Sequence, residues 1–213
     1  MIKGLKICGV SDPKTLNYIL DHRHKPSMIG FITNYEKSRR FVEYERLKYL
    51  INVDKKNISF VSVLVNPTDA LLEKIKDLNF DYYQLYDVDP IRTEQIKLKY
   101  KKKIITAITV SSKEDVIKYK DYSKISDIIL FDGKGYHKSE SFDHGLLDGV
   151  PNELNKMIAG NIQIDDISSF KNKNFMIDLS GALEDENGNK DIRKIDKLLN
   201  LTTKIWNLKK EFL

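Results

Sequence analysis

The sequence predicts a single (β/α)8 (TIM) barrel, and three observations carry that prediction. Eight short apolar runs rich in β-formers recur along the 213 residues, with helical stretches between most of them. No long linker or low-complexity segment divides the chain, and a barrel of roughly 200 to 250 residues commonly forms one domain. The first run ends in a thiol followed by glycine and helix-start signals, and barrel enzymes carry their chemistry at the carboxyl ends of strands. Residues 1–213 are therefore expected to form one catalytic domain.

The elements follow in chain order. The first strand is expected from Leu5 to Cys8, after which Ser11-Asp12-Pro13 supplies the N-cap and first-turn proline of a helix. Strands two to six are expected at Met28 to Ile32, Phe60 to Val65, Tyr82 to Tyr86, Ile104 to Ile108 and Ile128 to Phe131. Asn66-Pro67-Thr68-Asp69 opens a helix from Ala70 to Leu78, and Asp89-Pro90 opens one from Ile91 to Lys101. The sixth unit is unusual, because a polar run from Gly133 to Ser141 is followed only by a short apolar turn at Gly145-Leu146-Leu147. Long loops at such strand ends usually serve function. The last strands are expected at Lys156 to Ala159 and Phe175 to Leu179. A closing helix from Ile192 to Glu211 carries Ile195, Leu198, Leu199, Ile205, Trp206 and Leu208 near one stripe, which packs on the barrel.

Composition excludes several partner classes. The balance of 36 Lys+Arg against 31 Asp+Glu, a net charge of +5, suits an anionic small molecule. Lys101, Lys102 and Lys103 cluster at a helix end, where cations complement the dipole, and no aromatic-interleaved basic motif points to nucleic acid. No run approaches the roughly 18 apolar residues of a membrane span, and the N-terminus lacks a signal-peptide core. One cysteine forms no internal disulfide. A cytoplasmic protein is expected.

Cys8 and Asp132 both fall at strand ends, and across one barrel mouth they would supply a proton acceptor and a proton donor. Ala159-Gly160-Asn161 and Asp178-Leu179-Ser180-Gly181-Ala182 end strands seven and eight, where such barrels often cradle a phosphate with backbone N–H groups. Either glycine would equally serve a tight turn. His137 and His144 lack the carboxylate or cysteine spacing of a metal site and read as surface residues, and His22 and His24 read as dipole partners ending the first helix.

These residues amount to a resemblance. Lys6-Ile7-Cys8-Gly9-Val10 resembles the N-terminal signature of the phosphoribosylanthranilate isomerases. Lys37-Ser38-Arg39-Arg40-Phe41-Val42, Val61-Ser62-Val63-Leu64-Val65-Asn66, Gln84-Leu85, Leu130-Phe131-Asp132, Ser141-Phe142-Asp143, Asp178-Leu179-Ser180 and Gly188-Asn189-Lys190-Asp191 resemble further family segments in the same order. The resemblance implies a cofactor-free, metal-free, monomeric enzyme that isomerises N-(5'-phosphoribosyl)anthranilate. It implies Asp132 as general acid, Cys8 as general base, and Arg40 as receptor for the anthranilate carboxylate. By the same resemblance Gln84 and Asp178 contact substrate, and Gly160, Asn161, Ser180 and Gly181 hold the phosphate. The family's Gln-Leu-His-Gly reads Gln84-Leu85-Tyr86-Asp87, its Gly-Gly reads Gly160-Asn161, and its Trp after Ser/Thr-Phe-Asp reads His144. A related phosphosugar isomerase with a shifted substrate, or a non-catalytic phosphosugar-binding relic, are the alternatives. The roles require a Cys8 pKa lowered by nearby cations or substrate and an Asp132 pKa raised by burial. On that basis Cys8 would set the acidic limb of the pH profile and Asp132 the alkaline limb.

Overall fold

The computed structural model describes residues 2–135 and 140–207, the side chains from 204 onward excepted. Eight parallel strands close a barrel in chain order. They are β1 (Gly4–Cys8), β2 (Met28–Ile32), β3 (Ser59–Val65), β4 (Tyr82–Tyr86), β5 (Lys103–Val110), β6 (Ile128–Gly133), β7 (Lys156–Ile158) and β8 (Met176–Leu179). The helices are α1 (Pro13–Asp21), α2 (Tyr44–Leu50), α3 (Asp69–Ile75), α4 (Pro90–Tyr100), α5 (Lys113–Ile117), α6 (Tyr119–Tyr122) and α7 (Ile192–Asn207).

The predicted start signals act as expected. Asp12, Thr68 and Asp89 accept hydrogen bonds from the N–H groups of Thr15, Leu71 and Arg92, capping α1, α3 and α4. The stops differ. α3 ends at Ile75 rather than Leu78, and α4 ends at Tyr100 because Lys101 takes the left-handed conformation, φ 52°. β6 runs two residues past Phe131, so Asp132 sits inside the ladder opposite Thr109 instead of following it. β7 stops at Ile158, although the Ala159 N–H still donates to Phe131 O at 2.9 Å.

The sixth and seventh connections depart most from the expected alternation. They carry 310 helices, His144–Leu147 at the place of the expected short apolar turn and Ile164–Phe170 after β7. Strand alternation divides the core into two layers. Cys8, Met28, Val61, Val63, Ile105, Leu130 and Met157 fill the barrel interior, while Leu5, Ile7, Phe31, Phe60 and Ile177 face the helices. Ile195, Leu198 and Leu199 of α7 are buried as expected. The side chains of Ile205 and Trp206, and Leu208 to Glu211 entirely, lie outside the described residues.

Phe131 points outward from β6 into the cluster of Val110, Val116, Ile129 and Val150, beneath the short 310 cover, and is fully buried. With so little cover to collapse into the void, Phe131→Ala is expected to cost about 3–5 kcal/mol. Urea unfolding should show a lower midpoint with an unchanged slope.

Candidate active site

The carboxyl ends of the strands surround one cavity of about 560 Å³, within the range that holds a drug-sized ligand. Cys8, Arg40, Asp132, Asp178, Gly160, Asn161, Ser180 and Gly181 all line it. Gln84 does not. It is fully buried one layer below, where its Nε2 donates to the Tyr86 hydroxyl at 3.2 Å, so the expected substrate contact is corrected to a supporting one.

The floor of the site is an ion pair. Lys6 and Asp178 stand opposite each other in the β1–β8 register, both directed inward, and Lys6 Nζ donates to Asp178 Oδ2 at 2.6 Å with no exposure to solvent. Burial opposes the Lys6 charge, but Asp178 and Cys8 beside it outweigh that penalty and raise its pKa. Two positions along β1 from Lys6, the Cys8 side chain shares that face. Gly30, opposite Cys8 on β2, makes room for both. A methyl there would lie 2.9 Å from Cys8 Sγ and 3.1 Å from Lys6 Nζ.

The expected lowering of the Cys8 pKa is corrected. Burial pushes the thiol up, and Lys6, followed more weakly by Lys190, pulls against it without prevailing. Asp132 behaves as expected. Burial raises its carboxyl to about 6 despite the Tyr86 hydroxyl, which donates to Oδ2 at 2.8 Å.

Arg40 follows β2 in a loop, and its guanidinium is already engaged. Nε and Nη2 donate to Glu184 Oε1 and Oε2 at 2.5 and 2.9 Å, while Lys190 donates to the same Oε1 at 2.8 Å. Burial opposes the Glu184 charge, yet the two cations hold its pKa down. Lys190 also donates to Ser180 O at 2.9 Å, tying this network to the loop after β8. Lys6 and Glu184 escaped the sequence reading. An isolated lysine in register with Cys8 within an apolar strand was the available signal for Lys6, since only an inward partner could hold it there. Glu184 gave no comparable signal.

Two loops offer backbone to an anion. Gly160 and Asn161 have φ of 94° and 54°, so Asn161 adopts the left-handed angle that the replaced glycine would take freely. Gly160 is also sterically required, since a methyl would lie 2.7 Å from Gly133 N. Asp87, the other substituted glycine position, likewise has φ 54°. The β8 loop turns at Ser180, whose hydroxyl donates to Cys8 O at 3.0 Å, into a short 310 turn at Gly181–Leu183.

His144 is half-buried, not the plain surface residue expected. It packs edge-on between Phe142 and Phe170, at centroid distances of 5.0 and 5.4 Å, and burial lowers its pKa. His22 bonds Asp196 of α7 at 3.1 Å through Nε2, a clip between helices in place of the expected dipole partner. His137 lies outside the described residues, among which no group of three His, Cys, Asp or Glu could hold a metal.

The family model for N-(5'-phosphoribosyl)anthranilate (PRA) isomerase matches residues 5–201. The N-(5'-phosphoribosyl)anthranilate isomerase of Rhizobium rhizogenes is 30% identical over 211 residues, covering 94% of each chain. The phosphoribosyl anthranilate isomerase structure from Thermotoga maritima superposes with a TM-score of 0.82 at 21% identity, covering 93% of this chain and 97% of that one. Another structure of such an isomerase, in complex with reduced 1-(o-carboxyphenylamino)-1-deoxyribulose 5-phosphate, has a TM-score of 0.77, 21% identity and the same coverage.

Because Lys6 pulls the Cys8 pKa downward, Lys6→Met is expected to raise it further. Cys8 is the only cysteine, so its alkylation by iodoacetamide at mildly alkaline pH reads the thiolate directly and should slow severalfold. An unchanged rate would show that the ammonium does not act on the thiol.

Proposed function

The chain belongs to the N-(5'-phosphoribosyl)anthranilate isomerase family, and from that membership we propose how its barrel mouth carries the reaction. The enzyme converts N-(5'-phosphoribosyl)anthranilate to 1-(2-carboxyphenylamino)-1-deoxyribulose 5-phosphate, an Amadori rearrangement in tryptophan biosynthesis. Convergence of Cys8 and Asp132 on one cavity, between a cation and two glycine-bearing loops, is the observation that supports the assignment.

Asp132 protonates the furanose ring oxygen. The C1'–O bond then breaks as the anilino nitrogen lone pair forms the C=N bond of a Schiff base. The Cys8 thiolate takes the C2' proton, and the C2'–H electron pair passes to C1' while the C=N pair returns to nitrogen. The resulting enolamine tautomerises to the aminoketone product. Phosphate binds the backbone of Gly160, Asn161, Ser180 and Gly181, placing the sugar over Lys6 and Asp178. The anthranilate carboxylate binds Arg40, whose fork Glu184 holds in place. Asp178 receives a sugar hydroxyl at Oδ1, which is buried without a hydrogen-bond partner among the described residues.

The protein acts as a single catalytic domain in the cytoplasm, and no described helix is long and apolar enough to cross a membrane. A Thermotoga maritima relative is dimeric. The monomeric state proposed for this chain is checked by its mass in sedimentation equilibrium.

Complementation of an auxotroph lacking this isomerase tests the activity. Kinetics test the roles. Cys8→Ala and Asp132→Asn are each expected to lower turnover by about 10²- to 10⁴-fold while still binding the reduced product analogue. A fully active variant would remove that residue from the mechanism.

The pH profile follows from the two pKa shifts, with limbs in the reverse order of the sequence expectation. Asp132 titrates at about 6 and Cys8 above its ordinary value, so the productive pair of protonated acid and thiolate is a minority form. Below about 6, falling pH removes thiolate without gaining acid, and kcat/KM falls. Above that point each thiolate gained is matched by an Asp132 proton lost, giving a plateau until Cys8 itself titrates. The acidic limb should therefore break near 6, at Asp132. A break well above that value would contradict the assignment.

A further inference from the structure

The departure at Tyr86 replaces an imidazole with a phenol at the centre of the acid's surroundings, and the geometry there is directional. The Gln84 amide donates to the Tyr86 hydroxyl at 3.2 Å, and that hydroxyl donates to Asp132 Oδ2 at 2.8 Å. While Asp132 is ionised the direction is chemically forced, because a carboxylate only accepts. The single phenol proton must then point at Asp132, leaving an oxygen lone pair for the amide N–H. Asp132 Oδ1, by contrast, is buried with no hydrogen-bond partner among the described residues.

We propose that Tyr86 is the positioning residue for the general acid: its hydroxyl, oriented by Gln84, fixes Oδ2 and leaves Oδ1 as the oxygen that carries the proton to the substrate. The proposal rests on Asp132 being that acid. A proton on Oδ2 would meet the phenol hydrogen head on, whereas Oδ1 makes no hydrogen bond among the described residues. The carboxyl thus presents its proton from one fixed oxygen, and such orientation lowers a proton-transfer barrier without adding a group to the chemistry.

Among the influences that favour the Asp132 carboxylate, the Tyr86 hydroxyl is the strongest. Lys6 on β1 and Asp178 on β8 act through space and oppose each other, the Gly133 N–H supports the carboxylate more weakly, and Cys8 faces Tyr86 from β1. Burial and its carboxylate neighbour keep the phenol protonated, with its pKa well above the ordinary value, so it remains a donor wherever the enzyme works. Gln84 is itself immobile, being fully buried on β4 beneath the ring.

The test uses Tyr86→Phe, which keeps the ring and removes the donor, with Gln84→Met as a second variant that loosens the phenol while leaving it present. Two readouts separate the contact from the catalytic role. The carboxyl of Asp132 is titrated by carbon NMR in ligand-free protein labelled with 13C-aspartate, and assigned by its absence in Asp132→Asn. The acidic limb of kcat/KM is measured in parallel. Loss of the donor destabilises the carboxylate, so in Tyr86→Phe the titration should move from about 6 upward by roughly one pH unit. The kinetic limb should move with it. Turnover per productive enzyme form, after correction for the larger protonated fraction of Asp132, should fall roughly tenfold as the proton loses its fixed position. Gln84→Met should shift both in the same direction by less. A carboxyl titration unchanged in both variants overturns the proposal. A titration that moves while the kinetic limb stays fixed shows instead that Asp132 is not the acid, and removes the reading on which the proposal rests.

Discussion

Much of this structure depends on one buried ion pair inside the barrel. Lys6 is fully buried yet retains its charge because Asp178 meets it at 2.6 Å on the adjacent strand. Removing one partner from such a pair typically costs about 3–5 kcal/mol, since the other is left uncompensated. Apolar residues could fill the same volume at no loss of stability, so stability alone does not account for the charges. Their position does. Cys8 stands above Lys6 on the same face of β1, and the cation is the chief influence drawing its thiol toward the ionised form. Gly30 keeps the space around both open.

A second network, at the rim, uses the same logic but carries a surplus of positive charge. Glu184 is a single carboxylate held between Arg40 and Lys190, which leaves the cluster one positive charge in excess. The carboxylate stiffens the guanidinium and ties it to the β8 loop through Lys190 and Ser180. An anionic ligand arriving there meets a cation whose direction is already set, so less side-chain entropy is lost on binding. Cys8 and Asp132 line the same cavity as this cationic cluster.

The departures from family segments fall into two physical kinds. Asp87 and Asn161 replace glycines and retain left-handed backbone angles, which short polar side chains tolerate better than other residues. They change little in the path of the chain. Tyr86 and His144 change contacts. His144 fills an aromatic niche against Phe142 and Phe170, and Tyr86 places a hydroxyl on Asp132. Of the two, only Tyr86 lines the cavity.

The sequence by itself determined the barrel, because eight apolar strand runs with proline and Asp/Thr helix starts are local signals and the α/β alternation permits few topologies. It also determined that Cys8, Asp132, Asp178 and the glycine loops sit at strand ends, since position along a strand sets which end a residue occupies. What it left open was everything set by neighbours distant in the chain. The Gln84 side chain turned out to support Tyr86 from below, Arg40 turned out to be paired with Glu184, and the Cys8 thiol turned out to be raised, not lowered. The 310 cover of β7 was equally hidden, and that of β6 was legible only as a short apolar turn, because such runs gain form only from the barrel they pack against. Tertiary structure decided these points for one physical reason. Hydrogen-bond partners and buried charges act over a few ångströms in space, and Lys6 and Asp178, 172 residues apart, become neighbours only when the barrel closes.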